Sequence, residues 1–363
     1  MVEAIMKILY CYADTPETFN SDNWRCYIPT RAINRLPGHT ARLIALDDLA
    51  QWTDKAKEMT AWAEVIVFER NLFGPILLRM AALKQQGKTI IVDFDDSFPD
   101  LYPAHRAYPF WVAGIVDAEH KLERLPLEQF EEALHLAHAA TMPSPLLAEE
   151  WRWLTPTFVV PNYIEAETYL GQGYRPHRGW ITGWGGSGTH RQSLMGSGIL
   201  PALKRVAKRH PEIVIMLCGD YRELLNNLDL PDSQKRFVEW TEYREWPRTL
   251  ALFDIGLAPL HGALDDHRSQ IKGLEYGLRH IPWIGSDRPP YANFKDLARL
   301  VPNHPDAWEQ ALEESYAEVK TNDGHDYLPR VEAAHQYALT QTSDKGAAQI
   351  VATYEKIREQ AQR

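Results

Sequence analysis

DIGLAPLHGALDDHRSQIKGLEYGLRHIPWIGSD, residues 254–287, is the stretch from which the fold can be read. Its apolar run at residues 255–259 has the length and bounds of a buried strand. A loop follows, then a helical pattern carrying Arg268, Lys272 and Glu275, then a second apolar strand at residues 282–286 that ends in an acid, Asp287. Strand, helix and strand in that order form the repeating unit of a parallel α/β sheet. Cations and one carboxylate at a strand's carboxyl end suit an anionic, hydroxyl-rich ligand, because α/β sheets bind ligands at that edge. Arg268, Lys272, Glu275 and Arg279 are spaced i, i+4, i+7 and i+11, which predicts one shared helical face. A solvated face carrying ordinary charge pairs is the competing reading of the same spacing.

The alternation of apolar strands and helices runs through the chain twice. In the first half, strands are expected at residues 8–12, 42–45, 65–68, 89–94 and 139–142, and a bridging strand at 158–161. Helices are expected near 28–36, 76–86, 127–138 and 145–153. A polar stretch bearing Gly and Pro, residues 162–178, marks a domain boundary. Strands restart at 180–184, 213–218, 237–240, 255–259 and 282–284, with a weaker one at 300–302 and a helix near 199–210. The expected organisation is therefore a first Rossmann-like domain over 1–165, a second over 166–344, and a long, mostly polar helix at 345–363.

A chain of 363 residues exceeds one ordinary core, and 45% hydrophobic with 24% charged residues describes a globular protein. Its longest apolar runs fall far short of a membrane span, and no signal peptide is evident around Glu3 and Lys7. Cys11, Cys26 and Cys218, without C-x-x-C spacing, imply reduced, packed thiols and a cytoplasmic setting. The net charge of −10 opposes broad nucleic-acid binding. Residues 23–45 nevertheless contain Arg25, Arg31, Arg35 and Arg42 and no acid, beside Trp24 and Tyr27. That segment reads either as an amphipathic helix with solvated arginines or as a cleft for an anionic acceptor.

GWGGSG, residues 183–188, follows an expected strand and precedes a helix. It satisfies G-x-G-x-x-G, yet the acid due about 20 residues on falls instead in the basic stretch around Lys204 and Arg209. The glycines are thus expected to admit a phosphate to free backbone amides, without a dinucleotide fingerprint. Asp93, Asp95 and Asp96 end the strand at residues 89–94, where a metal, an acid–base pair or a turn would use them. The loop after them holds Tyr102, His105, Arg106, Tyr108, Phe110 and Trp111, groups that stack on sugars or bases or simply pack. G-x-S-x-G, G-x-x-x-x-G-K-[ST] and H-E-x-x-H are absent, which removes the common hydrolases, kinases and zincins.

Arg268-Ser269, Lys272, Glu275-Tyr276 and Ile281-Pro282 resemble the donor-sugar motif of GT-B glycosyltransferases of the family-4 type, in a branch found in phages and bacteria. His190 closes that family's G-S-x-x-H run with Arg191 next to it, Asp93, Asp95 and Asp96 fall on the acids of its V-x-D-x-D-D run, and Arg70 stands at its V-V-x-x-R place. The resemblance implies two facing Rossmann-like domains, with the last helix crossing back to the first. Gly185, Gly186, Ser187, His190, Arg191, Ser269 and Glu275 would bind a nucleotide-sugar donor, a UDP-sugar above all. Lys272, Arg268, Asp96 and His105 would serve catalysis, and Arg70, Asp95 and Arg25 the acceptor. No metal is implied. His267 stands where many members have a first glutamate that touches the sugar.

The expected activity is hexosyl or pentosyl transfer from a nucleotide-sugar to an acceptor hydroxyl, with retention of configuration. The leaving diphosphate would act as base, stabilised by Arg191, Arg268 and Lys272. Glycans, lipid-linked sugars, small metabolites and hydroxymethylated DNA bases remain open as acceptors. A non-catalytic nucleotide-sugar-binding subunit is the alternative of another class, since His267 replaces the first glutamate.

Overall fold

The computed structural model describes residues 6–15, 19–171, 180–321 and 329–363. Twelve strands form among them, every one at an expected apolar run. β1 Met6–Tyr12, β2 His39–Ala45, β3 Val65–Glu69, β4 Thr89–Asp93, β5 Ala139–Met142 and β6 Thr157–Val159 make one sheet, ordered β2-β1-β3-β4-β5-β6. β7 Trp180–Gly186, β8 Ile213–Gly219, β9 Lys235–Val238, β10 Ile255–Ala258, β11 Trp283–Ser286 and β12 Arg299–Val301 make the other, ordered β12-β11-β10-β7-β8-β9. All the pairings within both sheets are parallel. β3, β4 and β10 are buried along their whole length, as strands covered on both faces must be. The segment at 158–161, expected as a bridge, contributes the edge strand β6.

Two compact units result. One comprises residues 1–163, 267–269 and 342–363; the other comprises 164–266 and 270–341. The later part of the expected linker, residues 172–178, lies outside the described residues. The final helix, Ser343–Ala361, belongs to the first unit. Its composition is mostly polar, but Ala347, Ile350, Val351, Tyr354 and Ile357 recur at helical spacing and join the core of β1, β3 and β4. Burying each of the larger of these side chains contributes about 1.5–3 kcal/mol. Tyr10 and Tyr354 hydrogen-bond through their hydroxyls at 3.2 Å. The second core surrounds Trp184, Ile215, Leu217, Ile255, Leu257, Ile284 and Trp308.

Strand order reverses between β1 and β3 in the first unit and between β7 and β10 in the second. Open α/β sheets part at such points and bind ligands beyond the carboxyl ends of the strands there. Asp14 follows β1 and Arg70 follows β3; Ser187 follows β7, and the helix Ile271–Leu278 follows β10. The expected helix near residues 28–36 starts earlier than its periodicity predicts. A five-residue π-helical turn, Asn23–Tyr27, runs straight into Ile28–Ile33, and Arg25 lies buried within that wide turn.

Candidate functional site

In the second unit the candidate site is built around Glu275. Its helix begins only at Ile271, with Gln270 as N-cap, and ends with Arg279 as C-cap. The shared face expected of Arg268, Lys272, Glu275 and Arg279 therefore does not form: Arg268 precedes the helix, and Arg279 turns its guanidinium to the Tyr169 carbonyl at 2.8 Å. Lys272 and Glu275 alone keep the relation, one turn apart, with Nζ 3.8 Å from Oε2. The Glu275 side chain is buried, and its Oε1 accepts two hydrogen bonds, from the Tyr169 hydroxyl and the Trp246 indole, both at 2.9 Å. Oε2 has no hydrogen-bond partner among the described residues. Burial pushes this carboxyl above its ordinary pKa, while Lys272 and the two donors pull it back.

The glycine run differs from expectation in a way that matters. β7 extends through Gly186, so Gly183, Gly185 and Gly186 are buried strand residues and not a phosphate loop. A Cβ at Gly185 would meet the Trp246 ring at 2.3 Å, and one at Gly183 would meet Phe253 at 2.3 Å. These positions are glycine because large rings pack on them. A Cβ at Gly186 would meet Trp184 at 2.7 Å and His190 at 3.2 Å. The loop itself is short, Ser187 leading into a 3-10 turn at Gly188–His190. Ser187 Oγ lies 2.7 Å from Thr189 Oγ1, and the Gly188 amide donates to Asp220 at 2.8 Å. That amide is thus already engaged. Arg191 opens the following helix and is exposed.

The first unit gathers the remaining candidates. Arg25, expected at an acceptor face, is instead a structural cation. Its Nε and Nη2 donate to both oxygens of Asp93 at 2.7 Å, and Nη1 donates to the Val160 carbonyl and to Asn162 Oδ1. Both members of this pair are 2% exposed, so Arg25 offers nothing to an acceptor. Asn162 continues the chain by donating to Ser269 Oγ at 3.1 Å, which places Ser269 with the first unit. The rest of the basic segment disperses: Arg35 pairs with Asp344 at 2.8 Å, and Arg42 stacks over Trp62 at 4.3 Å.

Arg70 follows β3, and Asp95 and Asp96 follow β4. Arg70 adopts a positive φ of 22°, pairs with Asp14 and Ser21, and stands 3.3 Å from Glu69. Glu69 is fully buried, and that burial raises its pKa despite Arg70. Burial and neighbouring Asp96 push Asp95 up to about 7, with Arg70 and Arg25 opposing the shift. Asp96 stands 3.8 Å from Arg268. His105 is buried in a turn, where Nδ1 accepts from the Ala107 amide at 3.2 Å and the ring meets Tyr102 edge-on. Trp111, read as a stacking or packing group, packs: it stacks on Phe98 at 3.9 Å within a core of Phe94, Phe130 and Trp151.

His267 is held by Ser144, which donates to its carbonyl at 2.6 Å, and its Nδ1 lies 3.0 Å from Asp100. Asp100, Glu150 and His267 bring their ligand atoms within 4.8 Å of one another, a set able to hold a divalent ion. Sequence reasoning missed Trp246 and Tyr169, whose roles depend on a fold that brings residues 169, 246 and 275 together. The three cysteines are free and buried, as expected.

No protein-family model and no curated protein matches the sequence. Solved structures match over most of its length. The chain is similar to a sucrose-phosphate synthase from Thermosynechococcus elongatus, with a TM-score of 0.64 at 11% identity over 97% of this chain and 99% of that one. It is similar to a glycosyltransferase from Rickettsia africae, with a TM-score of 0.65 at 11% identity over 97% and 98%. HepE from Anabaena, solved with UDP and glucose, gives a TM-score of 0.64 at 11% identity over 96% and 99%. The fold is the GT-B fold, α/β with a parallel sheet in each of two Rossmann-like parts.

Proposed function

We propose that this chain is a nucleotide-sugar-dependent glycosyltransferase. The observation that carries the reading is Glu275: a buried carboxylate beside Lys272, on the helix after a switch-point strand of a GT-B fold, with one oxygen lacking a donor. A ribose hydroxyl is such a donor, and the Lys272 ammonium offsets a diphosphate beside it. The UDP and glucose in the HepE structure, and the UDP and GlcNAc in that of pneumococcal GtfA, support a UDP-hexose as donor.

In the reaction the acceptor oxygen bonds to the anomeric carbon while the bond from that carbon to the diphosphate oxygen breaks. The acceptor's proton passes to the departing diphosphate, and the sugar keeps its configuration. Lys272 meets the charge that grows on the diphosphate, and exposed Arg191 is the second cation of this unit suited to do so. The reading takes its charge stabilisation from the chain's own cations and includes no metal. Arg70, Asp95 and Asp96, beyond the strands of the first unit, are the groups offered to the acceptor. A DNA acceptor loses its main support, because Arg25, Arg35 and Arg42 are each engaged within the protein. Lys272 and Glu275 together also speak against an idle subunit. No described helix is long and apolar enough to cross a membrane, and free buried thiols suit a cytoplasmic enzyme.

A thermal-shift panel of UDP-, GDP-, ADP- and CDP-sugars tests the reading. A ligand at a hundred times its Kd stabilises the folded state by about 2.7 kcal/mol, a shift of several degrees. A panel in which no nucleotide-sugar raises Tm would defeat the proposal.

A further inference from the structure

The Glu275 carboxylate is asymmetric in its surroundings. Oε1 accepts from both Tyr169 and Trp246, which fills the usual acceptor capacity of one carboxylate oxygen. Oε2 accepts from nothing among the described residues, and the Lys272 ammonium at 3.8 Å is within ion-pair range but beyond a hydrogen bond. The carboxylate cannot rotate freely, because its two donors come from separate elements. Tyr169 lies on the helix Ala166–Leu170 and Trp246 on the helix Trp246–Leu250.

Trp246 is itself locked. Its ring fills the space where a Gly185 side chain would be, approaches Phe253 edge-on at 6.2 Å, and carries Lys272 Nζ 5.6 Å from its centroid. One side chain thereby fixes the end of β7, the carboxylate and the cation relative to one another.

We propose that Trp246 and Tyr169 are positioning residues that restrict Glu275 to one ribose hydroxyl, read through Oε2. A carboxylate free at both oxygens bridges a vicinal diol; this one has a single oxygen to give. The inference rests on Glu275 being the ribose contact. It predicts that the protein separates 2′-deoxy from 3′-deoxy nucleotides, since only one of the two lacks the hydroxyl that is read.

The test is equilibrium binding of the tightest of UDP, GDP, ADP and CDP, together with its 2′-deoxy and 3′-deoxy forms. With the wild-type protein, one deoxy form should bind about tenfold or more weakly and the other within about twofold of the parent. In Trp246→Phe and in Tyr169→Phe, Oε1 regains an acceptor position and the tolerated deoxy form should lose several-fold against the parent. Melting curves identify a variant that fails to fold, and Tyr169→Phe removes only a hydroxyl. Equal weakening of both deoxy forms by the wild type would overturn the proposal, as would an unchanged preference in both variants. If the parent binds and neither deoxy form is weakened, Glu275 is not the ribose contact. If no nucleoside diphosphate binds, the donor reading itself fails.

Discussion

Glu275→Gln separates what this residue does for folding from what it does for a ligand. The amide retains an oxygen that can accept from Tyr169 and Trp246, so both 2.9 Å bonds can persist. The other oxygen, 3.8 Å from Lys272, becomes an NH2 group that neither accepts from a ribose hydroxyl nor pairs with the cation. Losing a charge-assisted hydrogen bond costs about 1.5–3 kcal/mol, or roughly 10- to 150-fold in nucleotide affinity. Stability should move little or rise, because the native state no longer buries a carboxylate whose pKa burial has raised. A raised folded pKa means that the native state holds its proton longer than the unfolded chain does. The penalty therefore appears as pH climbs from the ordinary glutamate value through the folded one, and Gln abolishes that decline. Calorimetric titration with UDP and urea unfolding between pH 4 and 8 measure the two effects. Unchanged affinity, or a loss of affinity matched by a comparable loss of stability, would refute the assignment.

Lys272→Ala should lower kcat at saturating donor, because a cation matched to growing diphosphate charge acts in the transition state; an effect on KM alone would reduce Lys272 to ground-state binding. Arg25→Gln leaves Asp93 buried without its bidentate partner and should destabilise the first unit by about 3–5 kcal/mol, read by urea unfolding, whatever the salt concentration. A loss confined to acceptor affinity and dependent on salt would contradict that result. Asp95→Asn should flatten the fall in stability between about pH 4 and 7, since Asp95 is pushed up to about 7, with a gain on the order of 4 kcal/mol at pH 8. An unchanged pH profile would show that Asp95 titrates normally.

The inner strands were readable because both of their faces are buried, so that β3, β4 and β10 read as unbroken apolar runs bounded by polar turns. The ends of elements were less so. The glycines at 183–186 look like a loop to propensity, and only the rings of Trp246, Phe253 and Trp184 make them strand. Helical spacing extended the donor helix back to Arg268, but Gln270 caps it and the residues before it pack elsewhere. Charge counting read the four arginines as solvated or as lining an anionic cleft, whereas the π-helical turn at Asn23–Tyr27 holds Arg25 in the core. Lys272 and Glu275 were legible from spacing because both lie inside one regular helix. Trp246 and Tyr169 were not, since no local pattern encodes contacts made to Glu275 across 29 and 106 residues.

The central claim is that Glu275 and Lys272 serve a nucleotide-sugar that this chain turns over. The direct measurement is release of free UDP from UDP-glucose by the purified protein without added acceptor, followed by coupled assay beside Glu275→Gln and Lys272→Ala. Slow, enzyme-dependent release in the wild type that falls at least tenfold in both variants is the predicted result. Release that is equal in all three proteins, or absent with every nucleotide-sugar that raises Tm, would contradict the account.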